Sequence, residues 1–169
     1  MEETLTIIEK TAFLKGMEAL KAVPTESLAD MAALAHEKRF EAGETVCSEG
    51  QPNPGVFLVV EGKLEERKGK ALVRVIPPYT AVGELWLTEG EPLEYTVTAL
   101  EPTLVLHVRS EDVFDSLGDH PEIALAVVRD LASQVHDRTE RILELEKVVD
   151  RLNQACIAAG IDPPDLRTE

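Results

Sequence analysis

Apolar positions change their period twice along this chain. From Thr6 to about His36 they fall at helical spacing, with Leu28, Met31, Ala32, Leu34 and Ala35 three and four apart after "VPTES", where Thr25 is placed to cap a helix start. Between about Phe40 and Val108 the pattern becomes short β-branched or aliphatic runs: "TVCSE", "GVFLVV", "LVRVI", "YTVTAL" and "TLVLHV". They are separated by "EAGE", "GQPNPG", "EGK", "RKGK" and "LEPT", the Gly- and Pro-bearing turns of an antiparallel roll or barrel. At Ser110 the helical period returns, with the serine of "SEDVFDSL" placed to cap and two acids behind it to suit the helix dipole. Pro121 fits a first helical position, and no Gly or Pro follows it until Gly160, which predicts one long helix.

Along that helix Ala124, Val128, Leu131, Val135, Arg138, Ile142, Leu145, Val149, Leu152 and Cys156 alternate in steps of four and three, a heptad seam interrupted by one charge. Up to about Val135 the stripe is expected to lie on the chain's own β-roll. Beyond it some twenty residues at 1.5 Å each would extend roughly 30 Å, farther than a core of this size reaches. That part needs a partner: a parallel homodimeric coiled coil with Leu131, Val135, Ile142, Leu145, Val149 and Leu152 as the dimer seam is favoured over a helix folded back on its own domain, and the sequence leaves an antiparallel pairing open. Arg138 would cost stability there and fix the register. The chain therefore reads as an α+β protein, mainly β: an antiparallel β-roll or jelly-roll barrel with short N-terminal helices and a long C-terminal dimerisation helix. The expected segments are 1–36 (N-terminal helices), 37–115 (β-roll), 116–159 (C-terminal helices with the seam) and 160–169 (flexible tail).

Composition narrows the function. With 169 residues, 44% hydrophobic and 29% charged, the chain is long enough for one well-buried core. A net charge of −15 repels polyanions and argues against unaided binding to nucleic acid or an anionic membrane. Acids in "MEETLTIIEK" stand where an export signal would carry Lys or Arg, and no run approaches the roughly 20 apolar residues of a membrane span. Cys47 and Cys156 are far apart and match no metal or redox spacing, so a reducing cytoplasm is expected. Cys156 falls on the seam near the dyad of such a dimer, where an interchain disulfide is geometrically open; a buried reduced thiol suits the cytoplasm better. His36, His107, His120 and His136 form no HExxH pair, and there is no nucleophile elbow, Walker loop or dinucleotide fingerprint. The chain is expected not to be an enzyme, and to carry no metal.

The order of these parts resembles the cyclic nucleotide-binding domain family, the β-roll of catabolite-activator-like regulators, over about Ile7 to Val135. "FEAGETVCSEGQPNPGVFLVVEGKLE", with Gly43, Gly50 and Gly62 at turns, resembles the family's opening hairpins. "VGELWLTEGEPLEYTVTALEPTLVLHV" resembles its phosphate-binding cassette and the strands after it. The resemblance implies that Gly83, Glu84 and Leu85 bend into a short helix whose amides face a cyclic phosphate, with Glu84 accepting from the ribose 2′-hydroxyl; without the phosphate partner, a carboxylate capping the amides of its own turn is the slightly favoured role for Glu84. After the proline the family has an arginine for the phosphate, then a small residue, Ala and Thr. Here Pro92 is followed by Leu93, Glu94, Tyr95 and Thr96, and Pro77 and Tyr79 depart from the Gly-rich turn that precedes Gly-Glu.

Losing the arginine deletes a charge-assisted bond of about 1.5–3 kcal/mol, one to two powers of ten in affinity. Glu94 adds like charge unless it points to solvent, where screening removes its effect. Arg74 or Lys70 stand before the cassette as displaced cations, and Trp86 reads as a core or interface anchor rather than a base-stacking platform. A regulatory or interaction module with weakened or lost cyclic nucleotide binding, no resident cofactor and an unidentified protein effector is expected, with any cAMP or cGMP held weakly. The alternative is a working cAMP or cGMP receptor, or a sensor of a related small ligand. No DNA-binding domain is expected after the long helix, where only a mixed-charge tail follows.

Overall fold

The computed structural model describes residues 4–83 and 92–160. Helix α1 (Ile7–Gly16) opens with a capping box: Thr6 Oγ1 accepts from the Glu9 amide while the Glu9 carboxylate accepts from the Thr6 amide. A 3-10 turn (Glu18–Leu20) leads to α2 (Thr25–Leu34). Thr25 does not cap α2. Pro24 already supplies the extended backbone of the cap position, so Thr25 becomes the first helical residue and no side chain closes that end.

The strands that follow are β1 (His36–Phe40), β2 (Thr45–Cys47), β3 (Val56–Glu61), β4 (Leu64–Lys68), β5 (Ala71–Ile76), β6 (Ala81–Val82), β7 (Thr96–Ala99) and β8 (Thr103–Val108). They form two antiparallel four-stranded sheets, ordered β1-β8-β3-β6 and β2-β7-β4-β5. This is the expected β-roll, and burial explains its sequence. β3 and β8 are mostly apolar, and β8 is buried at every position, because their sheet is covered on both faces. Val56, Leu58, Leu106 and Val108 pack with Phe13, Leu14, Leu28 and Met31 of the helices, while Phe57, Val59 and Val105 turn inward to Leu64, Ile76, Val97 and Ala99 of the second sheet. That second sheet has one watered face, so β7 alternates partly exposed and buried positions along "TVTA". β1, "HEKRF", lies on a sheet edge and carries the charges that edges tolerate, which hid it from a search for apolar runs. β4, "LEERK", was hidden in the same way by its polar face.

Helices α3 (Ser110–Asp119) and α4 (Pro121–Ala158) follow. Ser110 does not cap α3: Arg109 holds the cap position and Ser110 is the first helical residue, its Oγ donating to the Asn53 carbonyl at 3.2 Å. By its packing the chain divides into residues 1–127 and 128–169. Within the first unit α4 buries Ile123 and Ala126 among the α1 and α2 side chains, whereas Ala124 is only partly buried. Within this unit the inward face of the helix is thus set one place earlier than the expected stripe, at Ile123 rather than Ala124. Within the second unit Gln134 donates to Asp130 at 2.7 Å, Arg141 pairs with Glu144 at 3.2 Å, and Ile142, Leu145 and Leu152 are exposed while Leu131, Val149 and Cys156 are partly so.

Candidate functional site

After β6 the chain turns at Gly83, whose φ of +105° is open to glycine and strained for other residues. A Cβ there would also run into the carbonyl of Gly55, itself at φ +118°, so this pair of glycines lets the turn after β6 press against the start of β3. Glu84, Leu85 and Trp86 lie outside the described residues, so the ribose-acceptor role of Glu84, the bend at Leu85 and the anchor role of Trp86 fall there as well.

Residues 92–96, the far end of the segment that resembles the family's cassette, are sewn onto the turn after β2. The Gly50 amide donates to the Leu93 carbonyl and the Leu93 amide to the Gln51 carbonyl, both at 2.8 Å. Thr96, which starts β7, accepts at Oγ1 from the Glu49 amide at 3.1 Å. Held between these bonds, Leu93 is 2% exposed. Its side chain packs in the interior cluster with Cys47, Phe57, Val59, Leu64, Ile76 and Val97. Glu94 turns the other way, its side chain 64% exposed and paired with Lys68 Nζ at 3.4 Å. The same ammonium lies 5.5 Å from the centre of the Tyr95 ring, which is partly buried against the interior cluster. Glu94 therefore faces water and a cation. Lys68 was not anticipated, since nothing in its local sequence ties it to residues so far along the chain.

Inside the roll, one cross-strand row of the second sheet reads Arg74, Glu66, Val97 and Cys47. Arg74 Nε donates to Glu66 Oε2 at 2.6 Å, and the glutamate side chain is only 5% exposed. A carboxylate taken so far from water needs such a partner, because an unpaired buried charge costs several kcal/mol. Arg74 is thus the cation of this row, paired with Glu66, while Lys70 lies beyond it in the exposed β4–β5 turn. Glu66 was missed, although strand alternation from Leu64 places it inward. Burial first, and then the Glu66 charge, push the Cys47 thiol up to about 12, so it stays neutral. His107 is also buried, its ring stacked 4.5 Å from Phe57 and its Nε2 2.8 Å from the Pro54 carbonyl. Burial holds it below its ordinary value of 6.5, as an uncharged core residue. Among the described residues no group of three or more His, Cys, Asp and Glu is placed to hold a metal ion, and no helix is long and apolar enough to cross a membrane.

Comparison with known proteins agrees with this architecture. Residues 37–120 match the family model of the cyclic nucleotide-binding domain. The human cGMP-dependent protein kinase 2 is 29% identical over 75 residues, which are 44% of this chain and 10% of the kinase, so the chain spans about a tenth of that relative's length. The crystal structure of the N-terminal domain of a transcriptional regulator from Streptomyces coelicolor is 27% identical, with a TM-score of 0.63 over 76% of this chain and 95% of that one. The catabolite activator protein of Thermus thermophilus is similar in fold alone, at 15% identity and a TM-score of 0.66 over 86% and 81% of the two chains. The roll and the match over residues 37–120 thus make this segment a member of the cyclic nucleotide-binding domain family.

Proposed function

We propose that this chain is a non-enzymatic regulatory module: a cyclic nucleotide-binding roll with a weakened hold on cAMP and cGMP, dimerised through the seam of α4 and read by a protein effector. Leu93 carries the reading. It stands where the family's cassette places its phosphate-binding arginine, and its side chain fills the apolar interior between the two sheets. The missing ion pair corresponds to about 1.5–3 kcal/mol, or one to two powers of ten in affinity. Glu94, turned outward onto Lys68, adds little repulsion of its own. The −15 charge disfavours nucleic acid as a partner, and two separate thiols suit a reducing cytoplasm.

Isothermal titration of the full chain with cAMP and with cGMP tests this. The expected result is no saturable binding at micromolar concentration. Binding at about 1 µM or tighter overturns it and assigns a receptor, with Arg74 as the cation inside the roll. In that case Arg74→Gln made together with Glu66→Gln, which leaves no unpaired buried charge, abolishes the heat while thermal melting shows the variant folded.

A further inference from the structure

The second sheet ends at β5, and among the described residues no strand pairs with its outer side. Natural sheets blunt such an edge with charges, prolines or a short strand, because its unpaired amides and carbonyls are a template for another chain. Apart from Arg74, which is turned to Glu66, β5 is guarded at its ends, by Lys70 on one side and Pro77 and Pro78 on the other. Between them Leu72, Val73 and Val75 are 51%, 48% and 47% exposed. Three apolar side chains of one edge strand left half in water mark a contact surface.

Charge indicates what covers it. The chain has 17 bases and 32 acids, yet from Arg67 to Gly83 it carries Arg67, Lys68, Lys70 and Arg74 and no acid at all. Arg74 is held inside by Glu66. Arg67 pairs with Glu65 at 2.8 Å, a glutamate whose side chain is only 17% exposed, and Glu49 Oε2 accepts from the Gly69 amide at 3.3 Å. Lys68 pairs with Glu94 at 3.4 Å with both side chains more than half exposed, so that pair is exchanged at little cost. A strongly acidic molecule thus offers Lys70, and Lys68 once Glu94 is displaced, at the end of one apolar strand with no partner on its outer side among the described residues. We propose that β5 is a docking edge for an extended acidic and apolar segment of a partner protein, added as the next strand of the β2-β7-β4-β5 sheet. Its apolar residues would lie against Val73 and Val75, and its acids against the Arg67–Lys70 turn. This rests on the module reading for the existence of an effector, and is independent of whether the roll holds a nucleotide.

The test is an amide-resolved NMR titration of the full chain with the peptide acetyl-EVEVEVE-amide. Expected are saturable shifts centred on residues 71–76, weakened about tenfold by Val73→Glu with Val75→Glu and severalfold by Lys70→Glu, and absent with acetyl-KVKVKVK-amide. The spectra report whether each variant stays folded; should the double variant unfold, Lys70→Glu and Val73→Thr decide. No saturation by about 1 mM, equal binding of the lysine peptide, or shifts scattered away from β5 overturn the proposal. So do β5 shifts that appear on concentrating the chain alone, which assign the edge to a second copy, or that appear with phosphatidylglycerol vesicles, which assign it to a lipid surface. Calorimetry with cyclic nucleotides is a separate readout, so the two readings fail separately.

Discussion

Leu93 is the residue whose truncation probes the site directly. Removing a leucine side chain that is 2% exposed and packed between the sheets should cost about 2–5 kcal/mol, so Leu93→Ala should lower the urea midpoint at unchanged slope. A loss below about 1 kcal/mol would mean that the position is not the core plug described here. Leu93→Arg should destabilise the chain without restoring tight nucleotide binding, since the guanidinium would start in the apolar interior. Tyr79 teaches the same lesson at a turn. It takes φ 63°, a conformation usual for glycine, and its ring packs on Phe13 with centroids 5.0 Å apart. A strain on the order of 1 kcal/mol is set there against an aromatic contact that ties the roll to α1. The sequence marked Tyr79 as a departure from a Gly-rich turn, but gave no means of knowing that Phe13 waits across the fold.

At the scale of elements, the joint between α3 and α4 is tied to α2 by side chains. Ser27 of α2 donates to the Glu122 carboxylate, and His120 lies between Asp30 Oδ2 at 3.3 Å and Glu122 Oε1 at 3.6 Å. The Ser27 bond, ahead of other causes, holds Glu122 below its ordinary value of 4.5. A carboxyl that is more acidic folded than unfolded adds stability above its unfolded value, and that stability is lost as pH falls through the folded one. His107 acts in the same direction at higher pH. Its protonation is disfavoured by burial, so stability declines as pH drops below its ordinary 6.5. Thermal melting should therefore fall from pH 7 toward pH 3.5, and the deficit of Ser27→Ala relative to the parent should shrink on the way. A deficit that stays constant with pH would show that the bond does not select the ionised carboxylate.

For the whole molecule, the exposed stripe Val135, Ile142, Leu145 and Leu152 predicts self-association. Sedimentation equilibrium should give twice the 18.6 kDa chain mass, and Ile142→Lys with Leu145→Lys should return it to one. The parent should also melt at a temperature that rises with protein concentration, as a folded dimer requires. A concentration-independent monomer would refute the seam as an interface.

The sequence alone determined the order of periods: helical, then strands with Gly and Pro turns, then one long helix opened by Pro121. These follow from local backbone preference and from which side chains avoid water, both written in neighbouring residues. The proposal that Leu93 replaces an arginine also rests on sequence alone, because the motif around it is short and contiguous. Tertiary structure decided which face each element buries. It set Ile123 and Ala126 inward where the heptad pattern suggested Ala124, and it moved the helix starts to Pro24 and Arg109. It placed Glu66 against Arg74 inside the roll, and turned Glu94 out to Lys68 while Leu93 went in. These choices depend on contacts between strands far apart in the chain, and the free energy of such a contact belongs to both partners, so neither local sequence contains it.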